Sequence, residues 1–200
     1  MKTYSTEKEV RKFFQDKKGL KMLNIGCGTD YKKGWVNIDN NSDDNIEKLD
    51  VNWDLRNPLP IEDNSIDYIF NEHFIEHLTV EESRESIQGF MRILKPGGVL
   101  RVAMPDLEDV FDLYSDKNWK KRPLIKNHGL EFVKTRAELV NMSFSWWGHK
   151  WIYDWEELER RFEELGITKV KRCELRKSSH KELRNLEIRE GSILIAEATK

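Results

Sequence analysis

Cysteine is scarce in this chain: Cys27 and Cys173 are the only two in 200 residues. Two are too few for a disulfide framework, and a reducing, cytoplasmic setting is the simplest expectation. Long apolar runs are missing too. No stretch approaches the roughly 20 residues that span a bilayer, and Met1 to Lys18 is charged throughout, without the apolar centre of a secretion signal. Charge of one sign is missing as well: 34 Lys and Arg stand against 36 Asp and Glu, for a net charge of -2. The whole chain therefore gives no strong nucleic-acid signal, although Lys117 to Lys126 and Lys169 to Lys177 are locally basic. There is no internal repeat and no low-complexity segment. What is present is one domain's length of chain, 38% apolar and 35% charged, with seven Trp, nine Phe and five Tyr to build a core.

Apolar periodicity orders that material. Residues 5 to 17 read as a charged amphipathic helix with Val10, Phe13 and Phe14 on its apolar face. Strands are expected at 20 to 26, 35 to 39, 49 to 54, 65 to 70 and 99 to 104. Thr79, with Glu82 three residues on, forms a capping-box signal for a helix running to about Leu94 and stopped at Lys95-Pro96-Gly97-Gly98. Residues 106 to 116 read as a helix, 117 to 150 as the least regular part, and Asp154 to Leu165 as a helix ended by Gly166. Two strands, 167 to 175 and 192 to 198, follow with no helix between them. The pattern predicts an α/β fold: a doubly wound, Rossmann-like, mostly parallel seven-stranded sheet with an antiparallel C-terminal edge hairpin.

The densest local signal is Leu23-Asn24-Ile25-Gly26-Cys27-Gly28-Thr29-Asp30, followed at the end of the next strand by Asp39. Glycines at a strand end let a ligand approach the backbone with no Cβ in the way, and a carboxylate there can accept hydrogen bonds from ribose hydroxyls. Gly26 and Gly28 supply only half of G-x-G-x-x-G, since Tyr31 stands where the third glycine belongs. Gly28 to Trp35 is also too short for the dozen or so residues a helical crossover needs. A single helical turn or an irregular loop is expected instead. Both features count against a nicotinamide-dependent oxidoreductase.

Taken in order, Leu23 to Gly28, Gly34 to Asp39, Leu59 to Asp67, Glu76-His77-Leu78 and Leu94 to Leu100 make the chain resemble the class I S-adenosylmethionine-dependent methyltransferases, in their type 11-like branch. The resemblance is strongest over about residues 20 to 105 and extends through the final hairpin. It implies one methyltransferase-like domain over 1–200: an N-terminal helix (1–19), a cofactor-binding core (20–105), a variable acceptor or lid region (106–150), and a C-terminal helix and hairpin (151–200). It implies S-adenosylmethionine as cofactor and S-adenosylhomocysteine as product. Gly26, Cys27 and Gly28 would line the methionine and ribose part, Asp39 would take both ribose hydroxyls, Asp54 and Leu55 would flank the adenine, and Asn71 would border the sulfonium. Asn24 and Asp30 stand where the family often has an acidic residue and a third glycine. Both are counted with the cofactor-binding residues, the Asp30 carboxylate as a partner for the cofactor's ammonium group. The Lys95 to Gly98 turn would be structural.

Two constellations bear on catalysis. His73-Phe74-Ile75-Glu76-His77 matches H-x-x-E-H, a zinc-hydrolase signature if the segment is helical. No third ligand stands out downstream, and no metal is expected. His73 is the better candidate as a general base, an imidazole near neutral pH close to the transfer site. His77, among Phe74, Ile75 and Leu78, reads as structural. The Trp146 to Trp151 cluster reads either as a packing block or as an acceptor wall with His149 assisting proton removal. Arg172 to Arg189 reads as a solvated loop or as a binder of anionic acceptors. The leading expectation is methyl transfer to a small-molecule or saccharide acceptor. A non-catalytic cofactor-binding or partner subunit of the same fold is the alternative. The oligomeric state is not legible in the sequence.

Overall fold

A computed structural model describes residues 2–41, 45–127 and 129–200. Seven strands form one sheet: β1 (Met22–Ile25), β2 (Val36–Asp39), β3 (Val51–Asn52), β4 (Ile66–Glu72), β5 (Leu94–Met104), β6 (Val170–Arg172) and β7 (Leu194–Thr199). Their order is β3-β2-β1-β4-β5-β7-β6. The first five are parallel, and β7 runs antiparallel to both β5 and β6. Strand order reverses between β1 and β4. In register, Ile25 lies opposite Ile38 on one side and Asn71 on the other, which levels the carboxyl ends of β2, β1 and β4. A ligand of an open α/β sheet binds at such a switch point.

The helices are α1 (Glu7–Asp16), α2 (Val80–Ile93), α3 (Leu107–Ser115), α4 (Pro123–Asn127), α5 (Arg136–Ser145) and α6 (Trp155–Glu164). Of these, α1, α2 and α6 pack on one face of the sheet, while Leu183 and Leu186 pack on the other. Thr6 and Thr79 each form a full capping box, with Glu9 and Glu82. Val10 and Phe14 of α1, Ile87 and Phe90 of α2, and Leu158 and Phe162 of α6 join the β-strand aliphatics in the main core. That is the stripe pattern expected of helices lying on a sheet. The antiparallel edge is pinned by ions. Arg101, fully buried on β5, reaches Glu187 at 2.6 Å and Glu197 of β7 at 2.7 Å.

One open reading closes here and two change. The first crossover is the irregular loop, with turns and no helix, and buried amides hold it together. Asn24 Nδ2 donates to Asp30 O and Asn37 Oδ1, while Asn37 ties Lys32, Trp35 and Asp50 together at 2.8–3.2 Å. Lys95 to Gly98 is a bulge enclosed within β5, because the register against β4 jumps from Ile66↔Leu94 to Tyr68↔Val99. Residues 117 to 150 are not irregular. They hold α4, α5 and two single-turn helices around a separate small core of Leu113, Trp119, Ile125, Leu130, Val133, Leu139 and Met142. Several short helices face that core from different directions, so no single periodicity runs through the sequence.

Candidate functional site

The carboxyl end of β1 turns back through Gly26 (φ +63°) and Gly28 (φ +50°), the left-handed region where glycine is favoured. The Gly26 and Cys27 amides donate to Ile38 O at 2.9 and 3.3 Å, which stitches the turn to β2. Asp39 sits at the tip of β2. Its Oδ2 accepts from the Gly28 amide at 2.7 Å and its Oδ1 from the Asn40 amide at 2.7 Å. Burial raises the Asp39 carboxyl above the ordinary range, and those two amide bonds oppose the rise. Burial, with the Asp39 charge beside it, pushes the Cys27 thiol up to about 12. Cys27 is thus a packing residue and not a nucleophile at neutral pH.

The other residues expected around the cofactor are placed as follows. Asn24 is buried and spent on the crossover network, so its amide braces the glycine turn from behind. Asp30 already has a cation, Lys32 Nζ at 2.5 Å. Asp54 is held in a two-pronged pair by Arg56, at 2.6–3.2 Å, and those bonds keep its carboxyl below the usual range. The Leu55 side chain packs in the main core, and its carbonyl accepts from Ser86 Oγ. Asn71, at the end of β4, has no solvent exposure, and neither atom of its amide has a hydrogen-bond partner among the described residues. An orphaned amide at a sheet switch point is where a polar ligand is expected.

The chain leaves β4 through His73, whose amide extends the ladder by donating to Ala103 O at 2.9 Å. His73 has φ +54°, strained for a residue with a Cβ. Only Ile75–His77 is helical, a single 3-10 turn. The α-helix that would put the two histidines of H-x-x-E-H on one face does not form, so the zinc-hydrolase reading of that segment fails. A different group assembles instead. His73 Nδ1 lies 3.0 Å from Glu76 Oε1. His149 arrives from the far end of the lid, because the Lys150 and Trp151 amides donate to Glu76 O at 2.8 and 3.2 Å. One ligand atom from each of His73, Glu76 and His149 lies within 4.8 Å of the others. His77 stands edge-on to His149, ring centres 4.9 Å apart, and burial lowers its pKa below the usual imidazole value.

These residues open onto a cavity of about 410 Å³ between the sheet end and the lid. His73, His77, His149, Asp106, Asp109, Ser143 and Arg189 supply its polar lining, and Val110 with Leu113, Leu130 and Leu139 of the small core supplies apolar lining. Trp147 also lines the cavity, and Trp146, Trp147 and Trp151 are all exposed. The Arg189 loop is set by Glu72, which is buried and accepts from Ser192 Oγ at 2.6 Å, the Arg189 amide at 3.0 Å and the Ile188 amide at 3.1 Å. The structure thus brings together His73 and His149, which the sequence offered separately as candidate bases. The sequence offered Glu76 only within the H-x-x-E-H reading, and it missed Asp106 and Asp109 in the wall and Glu72 as the anchor of the loop. No periodic signal marks those three, because the residues they meet lie far away along the chain.

Residues 23–102 match the profile of a methyltransferase domain, type 11. None of the curated proteins matches the chain. Among solved structures, an S-adenosylmethionine-dependent methyltransferase from Archaeoglobus fulgidus aligns with a TM-score of 0.53 at 19% identity, covering 97% of this chain and 92% of that one. One from Thermotoga maritima aligns with a TM-score of 0.54 at 18% identity, covering 93% and 84%. These two likenesses establish the fold. No helix among the described residues is long and apolar enough to cross a membrane.

Proposed function

We propose that this chain, which belongs to the class I S-adenosylmethionine-dependent methyltransferases, methylates a hydroxyl-bearing small molecule or saccharide held in the 410 Å³ cavity. The observation that carries the choice of acceptor is the lining of that cavity: two carboxylates, an arginine and three imidazoles together with aliphatic residues and Trp147. Such a lining suits a polyol or sugar ring, which offers hydroxyls at its rim and C–H groups on its faces. A reducing, cytoplasmic setting agrees with two free cysteines.

The residues at the switch point fit the cofactor. Asp39 has lone pairs left after its two amide bonds, a Cβ at Gly28 would meet nothing within 4 Å, and the Asn71 amide lacks a partner. Asp39 would hold the ribose, the Gly26 to Gly28 turn would admit the nucleoside against bare backbone, and Asn71 would meet the polar end. Bound there, S-adenosylmethionine supplies a methyl group on a sulfonium that departs as a neutral thioether. The chain's own residues handle the acceptor. His73 Nε2, buried and without a hydrogen-bond partner among the described residues, is placed to take the acceptor's proton. Glu76 beside Nδ1 stabilises the imidazolium that forms, and His149 braces the same corner. Asp30, paired with Lys32, and Asp54, paired with Arg56, keep structural roles until those pairs open.

Titration calorimetry with S-adenosylhomocysteine tests this reading. Wild-type protein is expected to bind, and Asp39→Ala to weaken binding by about 1–3 kcal/mol, the worth of hydrogen bonds to a charged group. Absence of heat with the wild type would sink the cofactor assignment. Turnover across a panel of sugars and polyols tests the acceptor class.

A further inference from the structure

We propose that His73, Glu76 and His149 form a binding site for a divalent transition-metal cation of the zinc class, at the edge of the acceptor cavity. Glu76 is 1% exposed, and neither of its carboxylate oxygens makes a hydrogen bond among the described residues. An ionised carboxylate cut off from water is costly unless positive charge sits beside it. His73 Nδ1 approaches to 3.0 Å but does not form a hydrogen bond with it. His149 supplies the third group, and its tautomer is fixed: Nδ1 lies 2.8 Å from Ser143 O, a pure acceptor, so Nδ1 carries the proton and Nε2 keeps its lone pair. An imidazole that donates one nitrogen to a backbone carbonyl and offers the other is the usual form of a metal-ligating histidine.

A single proton can satisfy one facing pair of acceptors. Three donors from three side chains within 4.8 Å suit a cation. Ligands of a tetrahedral zinc lie about 3.3 Å apart, so the group would close by up to about 1.5 Å, within reach of side-chain rotation. Two imidazoles and one carboxylate favour zinc, cobalt or nickel over magnesium and calcium, which take oxygen ligands. Both histidines line the cavity and Glu76 is buried behind them, so a fourth position would open toward the acceptor. Its use there rests on the methyl-transfer function proposed above: with the cation bound, an acceptor oxygen on it would lose its proton to water more readily, and His73 and Glu76 would serve as ligands in place of the base and imidazolium partner they would be without it. Cation binding itself does not depend on that reading.

The test uses the full chain, stripped with a chelator and dialysed against Zn²⁺ or Co²⁺. One equivalent is expected per chain, with the visible absorption of tetrahedral Co²⁺, and no comparable binding of Mg²⁺. Glu76→Gln and His149→Ala are each expected to lose more than the roughly 10–100-fold that removing a supporting hydrogen bond costs a metal site. His77→Asn is expected to keep the site, because His77 is not in the group. Circular dichroism and S-adenosylhomocysteine binding confirm that each variant is folded. Failure of the stripped wild type to bind either ion, or undiminished binding by folded Glu76→Gln, would overturn the proposal. Metal binding without S-adenosylhomocysteine binding would leave the site standing and remove the methyl-transfer role.

Discussion

The two glycines of the first turn are expected to fail for different reasons when a methyl group is added. At Gly26, φ is +63° and a Cβ would come within 2.7 Å of Phe74 Cδ2 and 2.9 Å of Phe74 Cβ. Phe74 Cβ is fixed to its backbone and cannot swing aside. Gly26→Ala therefore combines a left-handed backbone, about 1–2 kcal/mol, with overpacking, about 1–3 kcal/mol, for a total of roughly 2–5 kcal/mol. At Gly28, φ is +50° but nothing lies within 4 Å, so Gly28→Ala carries the backbone part alone, about 1–2 kcal/mol. For a domain of this size each kcal/mol moves Tm by about 2–4 °C. The Gly26 variant is thus expected to melt roughly 4–20 °C below wild type and the Gly28 variant roughly 2–8 °C below. Urea unfolding of Gly26→Ala, Phe74→Ala and the double variant isolates the steric part. If Phe74 is the obstacle, the double variant recovers about 1–3 kcal/mol relative to the sum of the single losses. Additivity to within about 0.5 kcal/mol would refute the steric account, and equal losses at the two glycines would refute the contrast.

Arg101→Met leaves Glu187 and Glu197 facing each other without their cation, and is expected to cost about 3–5 kcal/mol in denaturant unfolding. Glu72→Gln turns an amide NH₂ toward donors that need an acceptor. It is expected to cost about 1–3 kcal/mol and to raise hydrogen exchange at Ile188 and Arg189 more than at β5. His77, whose folded pKa is lowered by burial, binds its proton more readily when unfolded. Stability is therefore lost as pH falls through the unfolded value near 6.5 toward the lower folded value. His77→Asn is expected to flatten that acid limb in melts between about pH 7 and pH 5.

The order of strands and helices was legible because each element carries its own evidence. Thr79 with Glu82 marks a helix start, Gly166 (φ +73°) a stop, and the aliphatic runs of β1 and β4 fit strands buried on both faces. The turn glycines and Asp39 were legible for the same reason, since the fourteen residues from Gly26 to Asp39 hold the whole unit. The partners of Asn24 and Asp30 were not legible, because sequence shows a residue type but not what it meets: Asn37 bonds the first and Lys32 pairs with the second. The helical lid was missed because its small core is assembled from short segments with no shared period.

Local pattern alone thus determined the order of strands and helices in an α/β sheet and the glycine turn at its switch point, because backbone preference and apolar spacing act over a few residues. Only tertiary structure decided that His149 meets His73 and Glu76. Their separation along the chain is closed by two backbone hydrogen bonds to Glu76 O and by the lid core, and such contacts leave no periodic trace in the sequence.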